Sequence, residues 1–214
     1  MRTGMLAAAL AAATVALAGC KDSTAPSAPI TAGSLAFTYT GARSGTFSTS
    51  GAVVAGASGG FAKQQFATAV KFTNPGQSSI GIIGYLPVTA ATGNEVILAF
   101  PASGIGQTLT LTDTCATAGC AIGLILFDTN PDLNEDSSVT FFLTSGTLQV
   151  SAVTNERITG TFSGTAEDEA GVQTLTVTDG TFDLPLVDQS RFPLDRSPPA
   201  ARTLQRLRGT ISRQ

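Results

Sequence analysis

The chain has 214 residues, no histidine, no tryptophan and a formal net charge of −3. Without histidine, a Ser-His-Asp triad and every His-containing metal site are excluded, and the commonest general base is missing. The small net charge hides an acidic body and a basic tail: residues 33–188 hold thirteen Asp and Glu against four Lys and Arg, net −9, and residues 189–214 hold six Arg against one Asp, net +5. An acidic body is not expected to bind nucleic acid.

Residues 1–19 have the layout of a secretory signal peptide: Arg2, an apolar stretch from Met5 to Ala18, then small residues before Cys20. The stretch is shorter than the roughly 20 apolar residues that a spanning helix needs. It closes on Leu17-Ala18-Gly19-Cys20, which resembles the lipobox of bacterial lipoproteins. The resemblance implies cleavage before Cys20, a diacylated sulfur and an acylated new amino group. Two or more acyl chains suffice for stable anchoring, so the mature chain is expected to sit on a membrane without crossing it. Residues 20–32, the lipidated Cys and the Ser-, Ala- and Pro-rich segment after it, read as a flexible tether. In the sorting pattern of such lipoproteins an Asp directly after the cysteine holds the protein in the inner membrane. Here Lys21 stands there and Asp22 follows, which favours the outer over the inner membrane of the cell envelope.

Residues 33–188 alternate apolar residues with Thr and Ser and are cut by Gly, Pro and Asn at short intervals. This predicts an all-β domain: an antiparallel β-sandwich, or flattened barrel, of about ten strands, five or six of them between Ser34 and Asp128. FAKQQFATAVKF, from Phe61, is expected to be a strand entering a turn rather than a helix. The C-terminal half reads as a hairpin meander. A two-residue turn at Ser145-Gly146 sets Leu143 against Leu148, Phe141 against Val150 and Val139 against Ala152. A loop from Val153 to Arg157 then sets Ala152 beside Ile158, Val150 beside Gly160 and Leu148 beside Phe162. A turn through EDEA sets Phe162 against Leu175 and Gly160 against Val177. An Asp179-Gly180 type I′ turn sets Val177 against Phe182 and Leu175 against Leu184. Phe141, Leu143, Leu148, Val150, Phe162, Leu175, Val177 and Phe182 should share one buried face. A Gly-Thr-Phe triplet recurs at Gly45, Gly160 and Gly180, and is read as space or turn, β-former and core anchor. The span from Arg157 to Leu186 resembles the closing strands of β-rich domains of unknown function in bacterial lipoproteins, a resemblance that implies no activity.

Chemistry is sparse. GASGG, Gly56 to Gly60, matches a nucleophile elbow, but no histidine exists to activate Ser58, which is read as part of a glycine-rich turn. Cys115 and Cys120 have four residues between them instead of the two of a redox pair, and are expected to form a disulfide. In DTNPDLNED, Asp128, Asn130 and Asp132 repeat the alternating oxygens that open an EF-hand loop, while Leu133 replaces the turn glycine and Val139 the closing Glu. With Asn134, Glu135 and Asp136 they make a candidate for a weak calcium site. No other cofactor is expected. Asp128, Asp132, Glu135, Asp136, Glu156, Glu167, Asp168 and Glu169 are the loop acids on which a carboxylate-dependent hydrolase of envelope or extracellular polysaccharide would rely. The leading expectation is a non-enzymatic, lipid-anchored binding or structural module of the bacterial cell envelope. Its partners would be the membrane, through the anchor, and an unknown envelope protein or polysaccharide. The tail, 189–214, is rich in Pro and Arg and is expected to be largely disordered, except for a short helix over ARTLQRLR with Leu204 and Leu207 on one side.

Overall fold

The computed structural model describes residues 31–52, 64–74, 77–89, 92–115, 119–129 and 138–189. They form ten strands: β1 (Gly33–Gly41), β2 (Gly45–Gly51), β3 (Phe66–Asn74), β4 (Gln77–Pro87), β5 (Gly93–Pro101), β6 (Thr108–Leu111), β7 (Cys120–Thr129), β8 (Val139–Val153), β9 (Arg157–Asp168) and β10 (Thr174–Asp188). One 3-10 turn, Ala102–Gly104, links β5 to β6. The all-β, mostly antiparallel class expected from the sequence is found, and Phe66–Asn74 is a strand, as expected.

All ten strands belong to one sheet in the order β2-β1-β10-β3-β4-β5-β7-β6-β8-β9, and β9 also pairs with β10. The pairing path thus returns on itself and is flattened into a sandwich-like fold. One layer holds β2, β1, β10, β9, β8 and β6; the other holds β3, β4, β5 and β7. Long strands make the crossings. β10 pairs with β1 as far as Asp183, then runs parallel to Ala69–Lys71 of β3 over Leu186–Asp188. β8 pairs with β7 over Val139–Phe142 and with β6 over Thr147–Gln149.

Period-two alternation drives the layers together. Phe37, Phe47 and Phe162 of one layer meet Ile82, Leu98 and Phe127 of the other in a single buried cluster, and each such side chain contributes about 1.5–3 kcal/mol on burial. The Tyr39 and Phe127 rings meet across the layers with centroids 5.2 Å apart. A methyl group on Gly84 of β4 would touch Phe47 and Thr49 of β2 at 3.2 Å, so the layers approach closely there. The buried Thr49 hydroxyl reaches the carbonyl of Tyr85 at 2.7 Å and that of Phe66 at 3.3 Å. This ties edge strand β2 to the opposite layer.

Two expected hairpin turns are instead bulges inside long strands. Ser145 and Gly146 lie within β8, and Asp179 and Gly180 within β10. In β8, Leu143 pairs with Ala166 and Ser145 with Thr165, leaving Thr144 as the extra residue; in β10, Thr178 and Asp179 together face the single Ser163. The left-handed backbone that would suit a turn serves the bulge: φ is 136° at Gly146 and 55° at Asp179. The pairs Leu143–Leu148, Phe141–Val150, Val139–Ala152, Val177–Phe182 and Leu175–Leu184 are therefore not cross-strand partners. Phe162 faces Gly180 rather than Leu175, and Gly160 faces Phe182 rather than Val177. The expected Leu148–Phe162 and Val150–Gly160 pairs are present, but a further bulge at Ser151 puts Val153, not Ala152, opposite Ile158 and leaves Ala152 exposed. The strand count also shifts between halves: seven strands precede Asn130 and three follow.

The eight expected core positions are nonetheless all in the central cluster. Leu143 and Leu148 are five residues apart, as are Val177 and Phe182. An odd spacing in a regular strand puts side chains on opposite faces, and a one-residue bulge restores them to one face just as a two-residue turn would. The register also explains the repeated triplet. The copies on β9 and β10 are antiparallel partners, Gly160 opposite Phe182, Thr161 opposite Thr181 and Phe162 opposite Gly180. A methyl on Gly160 would collide with the Phe182 ring at 2.5 Å, and one on Gly180 with the Phe162 ring at 2.7 Å. Each phenylalanine fills the space above the other's glycine. In the third copy Gly45 lies under the Tyr39 ring, and Phe47 stacks on Phe37 with centroids 5.0 Å apart.

Replacing Phe162 by Ala should cost about 3–5 kcal/mol, read by urea unfolding, whereas Thr161→Ala on the exposed face should change stability by no more than about 0.5 kcal/mol. Equal effects of the two would contradict this register.

Candidate functional site

The loops are distributed between two ends. One end gathers the β1–β2 loop, the end of β7, the start of β8 and the β9–β10 turn, and holds Asp128, Glu167, Asp168 and Glu169, four of the ten described acids. Asp128, next to last in β7, has φ 57°. Its N–H donates to Asn94 Oδ1 at 3.3 Å, and its Oδ2 accepts from Arg43 Nη1 at 2.9 Å. Arg43 lies over the Phe127 ring, 4.8 Å from its centroid, and Phe127 meets the Phe141 ring edge-on at 5.8 Å. The aromatic stack thus places the guanidinium where Asp128 can reach it. Both partners are partly exposed, so the pair itself is worth about 0–1 kcal/mol; its role is to pin the β1–β2 loop to β7.

Of the calcium candidates only Asp128 is described, and a cation binding there would compete with Arg43. Asn130, Asp132, Asn134, Glu135 and Asp136 lie outside the described residues, as do Cys20 and Ser58. Among the described residues no group of three or more His, Cys, Asp and Glu is assembled for a metal. The other described acids have local tasks. Asp168 Oδ1 accepts the N–H groups of Val172 at 2.7 Å and Gln173 at 3.0 Å, capping the β9–β10 turn. Glu167 Oε1 lies 3.5 Å from the Thr144 hydroxyl. Glu169 is exposed in the same turn, and Glu156 is exposed in the β8–β9 loop, at the other end of the fold.

At that other end the described chain begins, with Thr31 and Ala32. Arg157, first in β9, donates through Nε to Asp183 Oδ1 at 2.8 Å and through Nη1 to Thr31 Oγ1 at 3.3 Å and Ala32 O at 3.4 Å. It clamps the incoming chain about 35 Å, the length of β9, from the acidic end. No sequence pattern singled out Arg43 or Arg157; each acts through register and loop placement, which a linear reading does not supply.

Cys115 and Cys120 form the expected disulfide, with Cα atoms 5.5 Å apart. Its setting is informative. β6 and β7 are parallel neighbours, Thr110 beside Cys120 and Leu111 beside Ala121, joined only by residues 112–119. Parallel strands normally need a connection of a dozen residues or more. The disulfide holds this short return, and both sulfurs are buried against Ile122.

The most extensive surface feature is on the outward face of the first layer. The register lines up Thr108, Gln149, Thr161, Thr181, Ala36 and Ser48 across six strands. A neighbouring row runs Thr110, Thr147 and Ser163, then, past the β10 bulge, Thr178, Thr38 and Thr46. A third runs Ser145, Thr165, Thr176 and Thr40. All are exposed or half-buried. Thr is favoured on pleated surfaces, but the lack of charge goes beyond propensity: β1, β2, β6 and β8 contain no Asp, Glu, Lys or Arg at all. The result is a broad field of hydroxyl groups in which exposed charge is confined to β9 and β10, at Asp179 and the Arg157–Asp183 pair, with neighbours about 4.8 Å apart along each row and rows about 6.7 Å apart.

Comparison of the chain with protein-family models, curated proteins and solved structures found no match. Any reading of its surfaces therefore rests on its own residues. No helix among the described residues is long and apolar enough to cross a membrane.

Replacing both Cys115 and Cys120 by Ser should lower unfolding stability by about 2 kcal/mol on the chain-entropy estimate for so short a loop, and reductant should then have no further effect. An unchanged unfolding midpoint would contradict a bond that holds the β6–β7 return.

Proposed function

We propose that this protein is a lipid-anchored, non-enzymatic binding module of the bacterial cell envelope that lays its hydroxyl face against neutral surface polysaccharide. The observation that carries the reading is the six-strand array of Thr and Ser, four of whose strands carry no charge at all. A hydroxyl both donates and accepts hydrogen bonds, as do the hydroxyl groups of a sugar chain, so the two surfaces are chemically matched. A face with few charges keeps low the cost of stripping water from ions. Each hydrogen bond contributes only about 0.5–1.5 kcal/mol net, so useful affinity comes from many contacts along a polymer and from many anchored copies acting together. The lipobox-like Leu17-Ala18-Gly19-Cys20 supports anchoring at Cys20. The Arg157 clamp on Thr31 and Ala32 supports a geometry in which the domain stands upright on its tether, with the acidic end directed away from the membrane. In this reading the acidic end keeps anionic surfaces at a distance, and calcium at the acidic loop is an accessory that would stiffen that end.

Mature protein should co-sediment with an insoluble neutral glucan. The triple variant Thr147→Lys, Thr161→Lys and Thr176→Lys should lose that binding several-fold while unfolding normally, since all three positions are solvent-facing. Retained binding by the variant would remove the hydroxyl face from the proposal. Intact mass should show acylated Cys20 at the N-terminus, and Cys20→Ser should abolish both processing and membrane association.

A further inference from the structure

The second layer has an outward face of opposite character. In a sandwich the outward positions are normally polar, yet here Phe66 and Phe72 of β3, Tyr85 of β4, Ile97 of β5, and Leu124 and Leu126 of β7 form a second apolar cluster in which no residue is more than 4% exposed. It lies on the reverse of strands whose other face builds the core, so β5 and β7 are buried on both sides. No strand among the described residues is stacked over it. A carboxylate, Glu95 of β5, is on this same face and is only 3% exposed.

We propose that this face is the docking surface of the chain's own C-terminal tail, residues 190–214. Position is the first argument. Val187, near the end of β10, is a member of the cluster, so the tail departs from the margin of the face. Length is the second. From β10 to β7 the face spans four strand spacings, about 19 Å; 25 residues cover that distance even as a helix, at about 1.5 Å per residue. Chemistry is the third. The tail carries Phe192, Leu194, Leu204, Leu207 and Ile211 to bury, and six arginines to set against Glu95 and the net −9 of the domain. A buried carboxylate requires a cation or hydrogen-bond donors, and guanidinium is the cation best suited to a carboxylate at an interface. The 53–63 connection, by contrast, contributes one basic residue, Lys63, and three glycines. The tail thus covers an apolar sheet face.

The test uses the full mature chain with the photo-reactive p-benzoylphenylalanine in place of Phe72, beside the tail's departure point, or of Phe142 at the far margin. Irradiation should give intramolecular cross-links to residues 190–214. Cross-links to 53–63, to the N-terminal segment, to a second copy or to anionic lipid vesicles supplied in the sample would each overturn the proposal. In a second measurement, a chain ending at Gln189 should raise the fluorescence of an apolar-surface dye several-fold, and a synthetic 190–214 peptide should reverse the rise. Dye binding that is indifferent to truncation would also overturn it, and if truncation prevents folding, the cross-linking of the full chain still decides.

Discussion

Closure of the sheet rests on how β10 divides its edges. One edge is taken by β9 along nearly the whole strand, and the other first by β1 and then, in parallel, by β3. A flat strand of this length would carry straight past the second layer. The bulge at Asp179 and Gly180 increases local twist and bends the strand, and the matching irregularity at Ser145 and Gly146 does the same for β8, which passes from β7 to β6. Because β9 is unbroken and pairs with both halves of each, the bends are held in register by one common partner. The closed path leaves few open strand edges, the usual liability of β-proteins, and the remaining edge of β2 is fastened by the Thr49 hydroxyl.

The alternation of apolar and hydroxyl residues made the class and the buried face of the C-terminal half legible in the sequence, and the spacing of Cys115 and Cys120 did so for the disulfide. It did not reveal whether a five-residue spacing folds back on itself or continues. Ser145-Gly146 and Asp179-Gly180 are turn-forming pairs by every local criterion, and what overrides them is long-range pairing with β9. Parity protected the core assignments from this error, since turn and bulge return the next apolar residue to the same side. Where parity failed, at Ser151, the assignment of Ala152 failed as well. The Phe–Gly reciprocity of β9 and β10 was hidden for the same reason: the triplets were visible, but their mutual register was not.

The candidate surfaces followed a similar pattern. Outward Thr residues could be read strand by strand, but rows six strands wide exist only once register is known. Arg43, Asn94 and Asp128 come from three separate segments, and their meeting depends on Phe127 presenting its ring beneath the guanidinium. The two outer faces then divide the protein's surface chemistry. One is hydrated, rich in hydroxyl groups and regular, suited to many weak contacts; the other is apolar and shielded. A single sheet can carry both because its closure gives each layer one inward and one outward side.

The claim on which this account turns is that β8 and β10 run through their bulges as continuous strands. Nuclear Overhauser contacts in the isotope-labelled protein test it directly. The account predicts contacts from the Gly180 α-protons to the Phe162 ring and from the Gly160 α-protons to the Phe182 ring, with Val177 opposite Gly164. Cross-strand contacts between Val177 and Phe182, or between Leu143 and Leu148, would show that the chain folds back at these glycines and would contradict it.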